Sequence, residues 1–401
     1  MTGRVVVAGA SMGGLRAAEQ LRAAGWTGAV TVVGDEPHMP YNRPPLSKEV
    51  LAGKAPFESL AFAPKAAAAD VEWRLGTRIT AARLDERVVE LADGERLSYD
   101  GLVVATGMRP RRLRCPGPLV GRHTVRTLAD ARILRDALIR PGARVVVVGA
   151  GFIGCEVAAT AVGLGAHVTV VDPLPLPMAG PLGDLLGGAL LKRHEERGVR
   201  FALGMGVAGF EGGERVTGVV LGDGTVLAAD VVVESVGSVA NTEWLDGNGL
   251  DLSDGVLTDE HLRVGGRSEA VAVGDVARFP NARYDGVPRR VEHWSIPTDT
   301  AKHAAKVLAA HLGGTEAESA PFAPLPTFWS DQHEFRLQSF GSPLLGKDDV
   351  RILDGDPDGD VVVGYHAAGR LVGVVALGGQ SAAMRAARYR ARLLEQPALT
   401  A

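Results

Sequence analysis

Cysteine is nearly absent. Cys115 and Cys155 are the only two in 401 residues and stand forty positions apart, which excludes a C-x-x-C redox pair and a thiolate metal site of useful size. Both read as reduced packing residues. No run of about 18 apolar residues occurs, so no membrane-spanning helix is expected. The formal charge is only −4, too small to give a global field for holding nucleic acid. The chain opens MTGRVVVAG and enters a strand at once, leaving no room for a signal peptide, and a cytoplasmic location is expected. His293, His303 and His311 lack acidic or cysteine neighbours at ligand spacing; they read as polar helix surface, and no metal is expected.

Hydrophobic residues (46%) and glycine (52 residues) are plentiful. The length suits two or three domains. Two segments repeat one pattern of apolar strand, glycine loop and helix: RVVVAG followed by SMGGLRAAEQLRAAG, and RVVVVGA followed by GFIGCEVAATAVGLG. Such βαβ units predict parallel sheets. Gly9 and Gly149 lie 140 residues apart, as two tandem nucleotide-binding units require. Between them GLVVATGMRPRRLRCPGP reads as a strand followed by a crossing linker, with a boundary near residue 110. Residues 199–235, punctuated by GG and DG, predict an antiparallel meander. After about residue 315, strands VVVGYH and RLVGVVAL and a final helix predict a small α+β unit. The glycines of LLGGALLKRH, Gly187 and Gly188, weaken their helix with no evident functional return.

The second loop, GAGFIG, carries the full glycine fingerprint. Gly149 permits the tight turn, Gly151 lets backbone approach a pyrophosphate, and Gly154 lets the helix pack against the strand. HVTVVD then ends in Asp172, where a carboxylate accepts from an adenosine ribose and repels a 2′-phosphate. No arginine follows before residue 193, which favours NADH over NADPH. The first loop, GASMGG, has Ser11 where the middle glycine belongs, and AVTVVGDE supplies Asp35 and Glu36 at the next strand end. Taken alone it is either a dinucleotide loop with one letter changed or a plain strand-to-helix turn. PYNRPPLSK, with Arg43 and Lys48, and ATG and AVGD past apolar strands point the same way without deciding it.

Together, VVAGASMGGLRAAEQLR, VGDEPHMPYNRPPLSK, VVATGMRPR, VRTLADA, VVVGAGFIGCEVAA, VTVVD, AVGDVARF, VEHW and FWSDQ resemble the FAD-dependent NAD(P)H:ferredoxin reductases, two-dinucleotide-binding flavoproteins that feed haem and Rieske monooxygenases. The resemblance runs from residue 4 to about 377. It implies an α/β fold with two Rossmann-like domains, for FAD and NAD, and a small C-terminal α+β domain. The implied division is 1–110 with 240–317 for FAD, 111–239 for NAD, and 318–401 as an interface-type domain. FAD and NADH are the implied cofactors and an iron-sulfur ferredoxin the implied partner.

By the same resemblance Asp35, with or without Glu36, holds the FAD ribose. Gly9, Ser11, Gly13 and Gly14 surround its pyrophosphate, the Ser11 hydroxyl facing it. Arg43 and Lys48 lie near the isoalloxazine, Ile79 on the adenine side, and Ala105, Thr106, Gly107 and Arg126 against the cofactor. Gly274 and Asp275 meet the ribityl or pyrophosphate region, and Trp294 and Trp329 pack near the ring. Glu156 faces the nicotinamide and pairs with Lys48, these two being the implied catalytic residues, and Gly237 passes beside the dinucleotide. Ala240 replaces a proline common in the family, and SIPTDT departs from the usual stretch after VEHW; Pro297 argues against a helix that starts before it.

A flavin-side cysteine, needed by disulfide reductases and peroxidases, is missing from residues 35–48. An NADH oxidase and a redox-sensing flavoprotein of the apoptosis-inducing-factor type stay open as alternatives. Arg109, Arg111, Arg112 and Arg114, with Arg289 and Arg290, form either a docking patch for an acidic ferredoxin or ordinary solvated charge.

Overall fold

The computed structural model describes residues 3–315 and 320–396. The first valine run becomes the strand Arg4–Ala8, whose Val5, Val6 and Val7 are wholly buried. It lies between Ala29–Gly34 and Gly101–Val104, all parallel, in a six-stranded sheet that continues to Glu72–Leu75 on one side and Arg267–Ala272 and Arg263–Val264 on the other. Strands covered on both faces need continuous apolar runs, which these sequences supply. The helices Met12–Ala23 and Ile296–Leu312 pack together over this sheet, where small residues such as Ala17, Ala18, Ala301 and Ala304 let them come close. The second of these helices starts at Ile296, one residue before Pro297, because a proline in the first turn removes only an N–H that no intrahelical carbonyl would accept.

The second valine run, Arg144–Val148, sits in a five-stranded parallel sheet ordered Arg200–Leu203, His167–Asp172, Arg144–Val148, Val231–Glu234 and Arg122–His123. The antiparallel meander is narrower than the sequence predicts. It comprises Val207–Gly212, Val216–Leu221 and Val226–Ala228, while the two flanking strands of the 199–235 region join the parallel sheet. Two connections run side by side between the sheets, Met108–Pro110 pairing antiparallel with Ser238–Ala240.

The C-terminal part is a five-stranded antiparallel sheet, Thr327–Gln332, Phe335–Gly341, Arg370–Gly378, Val361–Ala367 and Val350–Gly355 in spatial order. Its VVVGYH and RLVGVVAL strands meet in a tight hairpin whose Ala368 and Gly369 both take positive φ, the backbone hand that matches strand twist. One face packs on the terminal helix Gln380–Glu395 through Ala382, Ala386 and Leu393. The other meets Ala179–Glu195, a helix kinked at Gly183. Within that helix Gly187 now has a reason: a Cβ there would press on Pro177 O at 3.0 Å and Leu176 Cβ at 3.1 Å. Gly188 faces open space and remains unexplained.

Candidate functional site

The two glycine loops have one geometry. Gly9 and Gly149 take positive φ (119° and 105°), and a Cβ on either would overlap the carbonyl of the neighbouring strand end, Ala105 or Ser235. Gly14 and Gly154 stand where a Cβ would overlap Gly9 O and Gly149 O, so they set the close packing of helix on strand. Gly13 has ordinary room, its nearest neighbours being 3.6 Å away. The middle position differs in kind. Ser11 (φ −98°, ψ −164°) and Gly151 (φ −80°, ψ −174°) share an extended backbone open to any residue, and a Cβ at 151 meets nothing within 4 Å. Serine therefore fits position 11 without strain. Neither residue caps its helix through a side chain, and neither helix has an acid in its first turn, which leaves both N-termini suited to an anion.

Both loops open on one cavity of about 1400 Å³, well beyond the roughly 300–1,000 Å³ that holds a drug-sized ligand. Its wall includes Gly9, Ser11, Gly13, Asp35, Glu36, Arg43, Lys48 and Ile79 from the first segment, with Ala105, Thr106, Gly107 and Arg126 following. Gly151, Glu156 and Gly237, and then Gly274, Asp275, Trp294 and Trp329, complete it. Among the sequence-derived candidates, Gly14, Gly149, Gly154 and the partly exposed Asp172 are not part of its lining. Asp172 holds the second loop in place, accepting from Ala150 N at 2.7 Å and Leu174 N at 2.8 Å.

At the first loop the acid engaged is Glu36, which accepts from Tyr41 Oη and pairs with Arg43, both at 2.5 Å. Asp35 is exposed and 3.7 Å from Arg78. Arg43 also donates to Arg126 O at 2.6 Å and approaches Ser11 Oγ at 3.4 Å, so it stands at the loop while Lys48 is committed elsewhere. Tyr41 is inside this cluster, and its burial pushes the phenol well above its ordinary range. Asp275 lies 3.8 Å from Arg126; burial raises its pKa to about 6, against the opposing pull of that guanidinium. Gly274 N donates to Thr300 Oγ1 at 2.9 Å. Trp294 donates to Asn42 Oδ1 at 2.9 Å, packs on Trp329 with ring centroids 5.5 Å apart, and leaves 39% of its surface exposed.

Lys48, just past the PPLS turn, reaches Glu156 Oε1 at 2.9 Å. The residues are 108 positions apart in sequence. Two serines that sequence reasoning missed complete this cage: Ser47 Oγ donates to Glu156 Oε2 at 2.5 Å and Ser330 Oγ to Oε1 at 2.6 Å. Both sit inside motifs quoted for other letters, PPLSK and FWSDQ.

His293 is not helix surface. It precedes the helix Ile296–Leu312, lines the cavity beside Phe328 with centroids 5.0 Å apart, and burial lowers its pKa to about 4. His303 stacks on His261 with centroids 6.0 Å apart. Among the described residues no group of three or more His, Cys, Asp or Glu could hold a metal ion, and no helix is long and apolar enough to cross a membrane. The arginine patch is largely spent on pairing. Arg109 binds Glu243, Arg289 binds Asp285 at 2.5 Å, and Arg290 binds Asp254 and Glu292 at 2.7 Å. Arg112 donates to Arg122 O at 2.6 Å.

A cavity fed by two glycine loops, with uncapped helix ends and a paired lysine and glutamate, fits two nucleotide cofactors and defines a two-nucleotide oxidoreductase. The family model described as pyridine nucleotide-disulphide oxidoreductase matches residues 3–301, and one described as reductase C-terminal matches 327–398. The chain belongs to the pyridine nucleotide-disulphide oxidoreductase family. It is 39% identical over 346 residues to putidaredoxin reductase CamA of Pseudomonas putida, covering 84% of this chain and 80% of that one. It is 37% identical over 375 residues to rhodocoxin reductase of Rhodococcus erythropolis, covering 92% and 85%. The crystal structure of a covalent putidaredoxin reductase–putidaredoxin complex aligns with TM-score 0.89 and 34% identity over 98% of this chain and 93% of that chain. The disulphide chemistry in the family's description has no counterpart here: Cys155 is fully buried with Sγ 3.6 Å from Ala150 O, and Cys115 borders Val207 O at 3.5 Å.

Proposed function

We propose that this protein is an NADH-dependent ferredoxin reductase serving a haem or Rieske monooxygenase in the cytoplasm. The observation that carries it is the Lys48–Glu156 pair, which joins the segment after the first glycine loop to the helix of the second in the wall of one shared cavity. In this reading residues 1–110 with 240–317 bind FAD, 111–239 bind NADH, and 318–401 close the site. FAD, when bound, supplies the step a nicotinamide cannot: it takes a hydride and releases electrons singly to an iron-sulfur acceptor. The chain's own residues bind and orient. The N-terminus of Met12–Ala23 and Arg43 receive one pyrophosphate, and that of Phe152–Gly163 the other. Glu36 or Asp35, and Asp172, stand at strand ends for the two riboses. Lys48 presents an ammonium to the cavity, which stabilises negative charge on a reduced ring. Glu156 is anchored by three donors, Lys48, Ser47 and Ser330.

The test is a flavin spectrum of the purified protein, then NADH and NADPH oxidation with ferricyanide, oxygen and a panel of ferredoxins. A bound-flavin spectrum, NADH preference and fast ferredoxin reduction are expected. A colourless protein that FAD cannot reconstitute would overturn the reading, and oxygen as the best acceptor would make it an oxidase.

A further inference from the structure

A line of buried side chains continues beyond Glu156 into the C-terminal sheet. Phe328, Ser330 and Gln332 alternate along Thr327–Gln332, so they share one face, which meets the helix Phe152–Gly163. Gln332 Nε2 donates to Ser330 Oγ at 2.9 Å, and Gln332 Oε1 lies 2.8 Å from His194 Nε2. His194 Nδ1 lies 3.2 Å from His333 Nε2. Ser330, Gln332, His194 and Glu156 are all buried.

Donor and acceptor chemistry fixes the direction of this line. The amide oxygen of Gln332 can only accept, so His194 carries its proton on Nε2 and its Nδ1 accepts from His333. Ser330 Oγ receives the Gln332 N–H, and its single proton is then directed to Glu156 Oε1. Every bond points toward the carboxylate. His194 stays neutral because burial lowers its pKa, with the rings of Phe201 and Phe335 packed edge-on against it.

We propose that Ser330, Gln332 and His194 are positioning residues that hold the Glu156 carboxylate, and through it the Lys48 ammonium, so that the C-terminal sheet sets the charge presented to the cavity. The value of this to catalysis rests on the function proposed above; the relay itself does not. A buried carboxylate is tolerated when hydrogen bonds satisfy its lone pairs, and here the donors come from Ser47 and Lys48 on one side and Ser330 on the other.

The test uses Ser330→Ala, which deletes the donor, and Gln332→Glu, which keeps the shape and, when ionised, can only accept, so that Ser330 turns its proton away from Glu156. Trace acetylation of the full-length apoprotein, read by mass spectrometry as the ratio of Lys48 to the exposed Lys347, reports how firmly the ammonium is held. Losing one hydrogen bond to a charged group should raise that ratio about tenfold in both variants. Ser330→Thr, which keeps the hydroxyl, should restore it. In the flavin-loaded protein kcat with ferricyanide should fall while KM for NADH holds. An unchanged Lys48 ratio in Gln332→Glu, or in a folded Ser330→Ala, overturns the proposal. If the protein binds no flavin, the proposed function fails while the labelling ratio still decides the relay.

Discussion

Gly151→Ala separates what a glycine does for the fold from what it does for a ligand. The backbone at 151 is one that alanine adopts freely, and its Cβ would meet no protein atom within 4 Å. The substitution should leave the apoprotein as stable as before, or add about 0.4–1 kcal/mol by restricting the unfolded chain. Gly154→Ala, three residues on, drives a Cβ into Gly149 O, and both atoms belong to backbone fixed between a buried strand and its helix. It should cost at least the ~1–3 kcal/mol typical of overpacking. The effects on NADH run the other way for Gly151. A methyl there occupies the space through which the loop meets a pyrophosphate, and weakening one charge-assisted bond by ~1.4 kcal/mol raises KM about tenfold. Ser11 escapes this penalty because Arg43, 3.4 Å from its hydroxyl, brings a cation to the first loop. The assay is urea unfolding of the apoprotein beside KM for NADH and flavin content. An unaltered KM in Gly151→Ala, or a wild-type unfolding midpoint in Gly154→Ala, would refute the assignment of the two glycines.

Arg122→Met should destabilise the protein by ~3–5 kcal/mol in urea unfolding, because it strands a buried Glu234 that Arg122 meets at 2.7 Å; adding Glu234→Leu should recover most of the loss. His293 predicts acid sensitivity. Its folded pKa of about 4 is below the unfolded 6.5, so the unfolded chain binds more protons between those values. The contribution is fully present above pH 6.5 and is lost as pH falls toward 4, by at most ~1.4 kcal/mol per pH unit. His293→Phe should flatten that slope in melts at stepped pH. Ferredoxin-dependent cytochrome c reduction should respond weakly to salt, since Arg109, Arg289 and Arg290 already have carboxylate partners; a steep fall would show that the patch still steers docking.

The glycine loops were legible because close backbone approach leaves a spacing in the sequence, and the valine runs because strands buried on both faces need them. Ser11 looked like a defect only because sequence cannot tell a glycine kept for its φ from one kept for space. The meander is narrower than its sequence suggests, since strands 200–203 and 231–234 read the same whether they pair within a hairpin or across a parallel sheet. Ion pairs were hidden for a different reason: Arg109 finds Glu243, 134 positions away, only because Met108–Pro110 and Ser238–Ala240 run side by side. His293 reads as helix surface in the sequence because nothing local marks Phe328 as its neighbour.

The Glu156 cage combines these lessons. Ser47 and Lys48 come from the first segment, Glu156 and His194 from the second, and Ser330 and Gln332 from the third. A carboxylate buried this deeply carries a desolvation cost of several kcal/mol unless its donors are all in place. Packing of the C-terminal sheet therefore completes the donor set of this carboxylate. A variant loosened in that sheet should lose the fixed Lys48 ammonium before it loses the first glycine loop, whose Gly9 packs on Ala105, whereas the second loop carries Phe152 against Phe328 of the sheet, 4.8 Å between ring centroids.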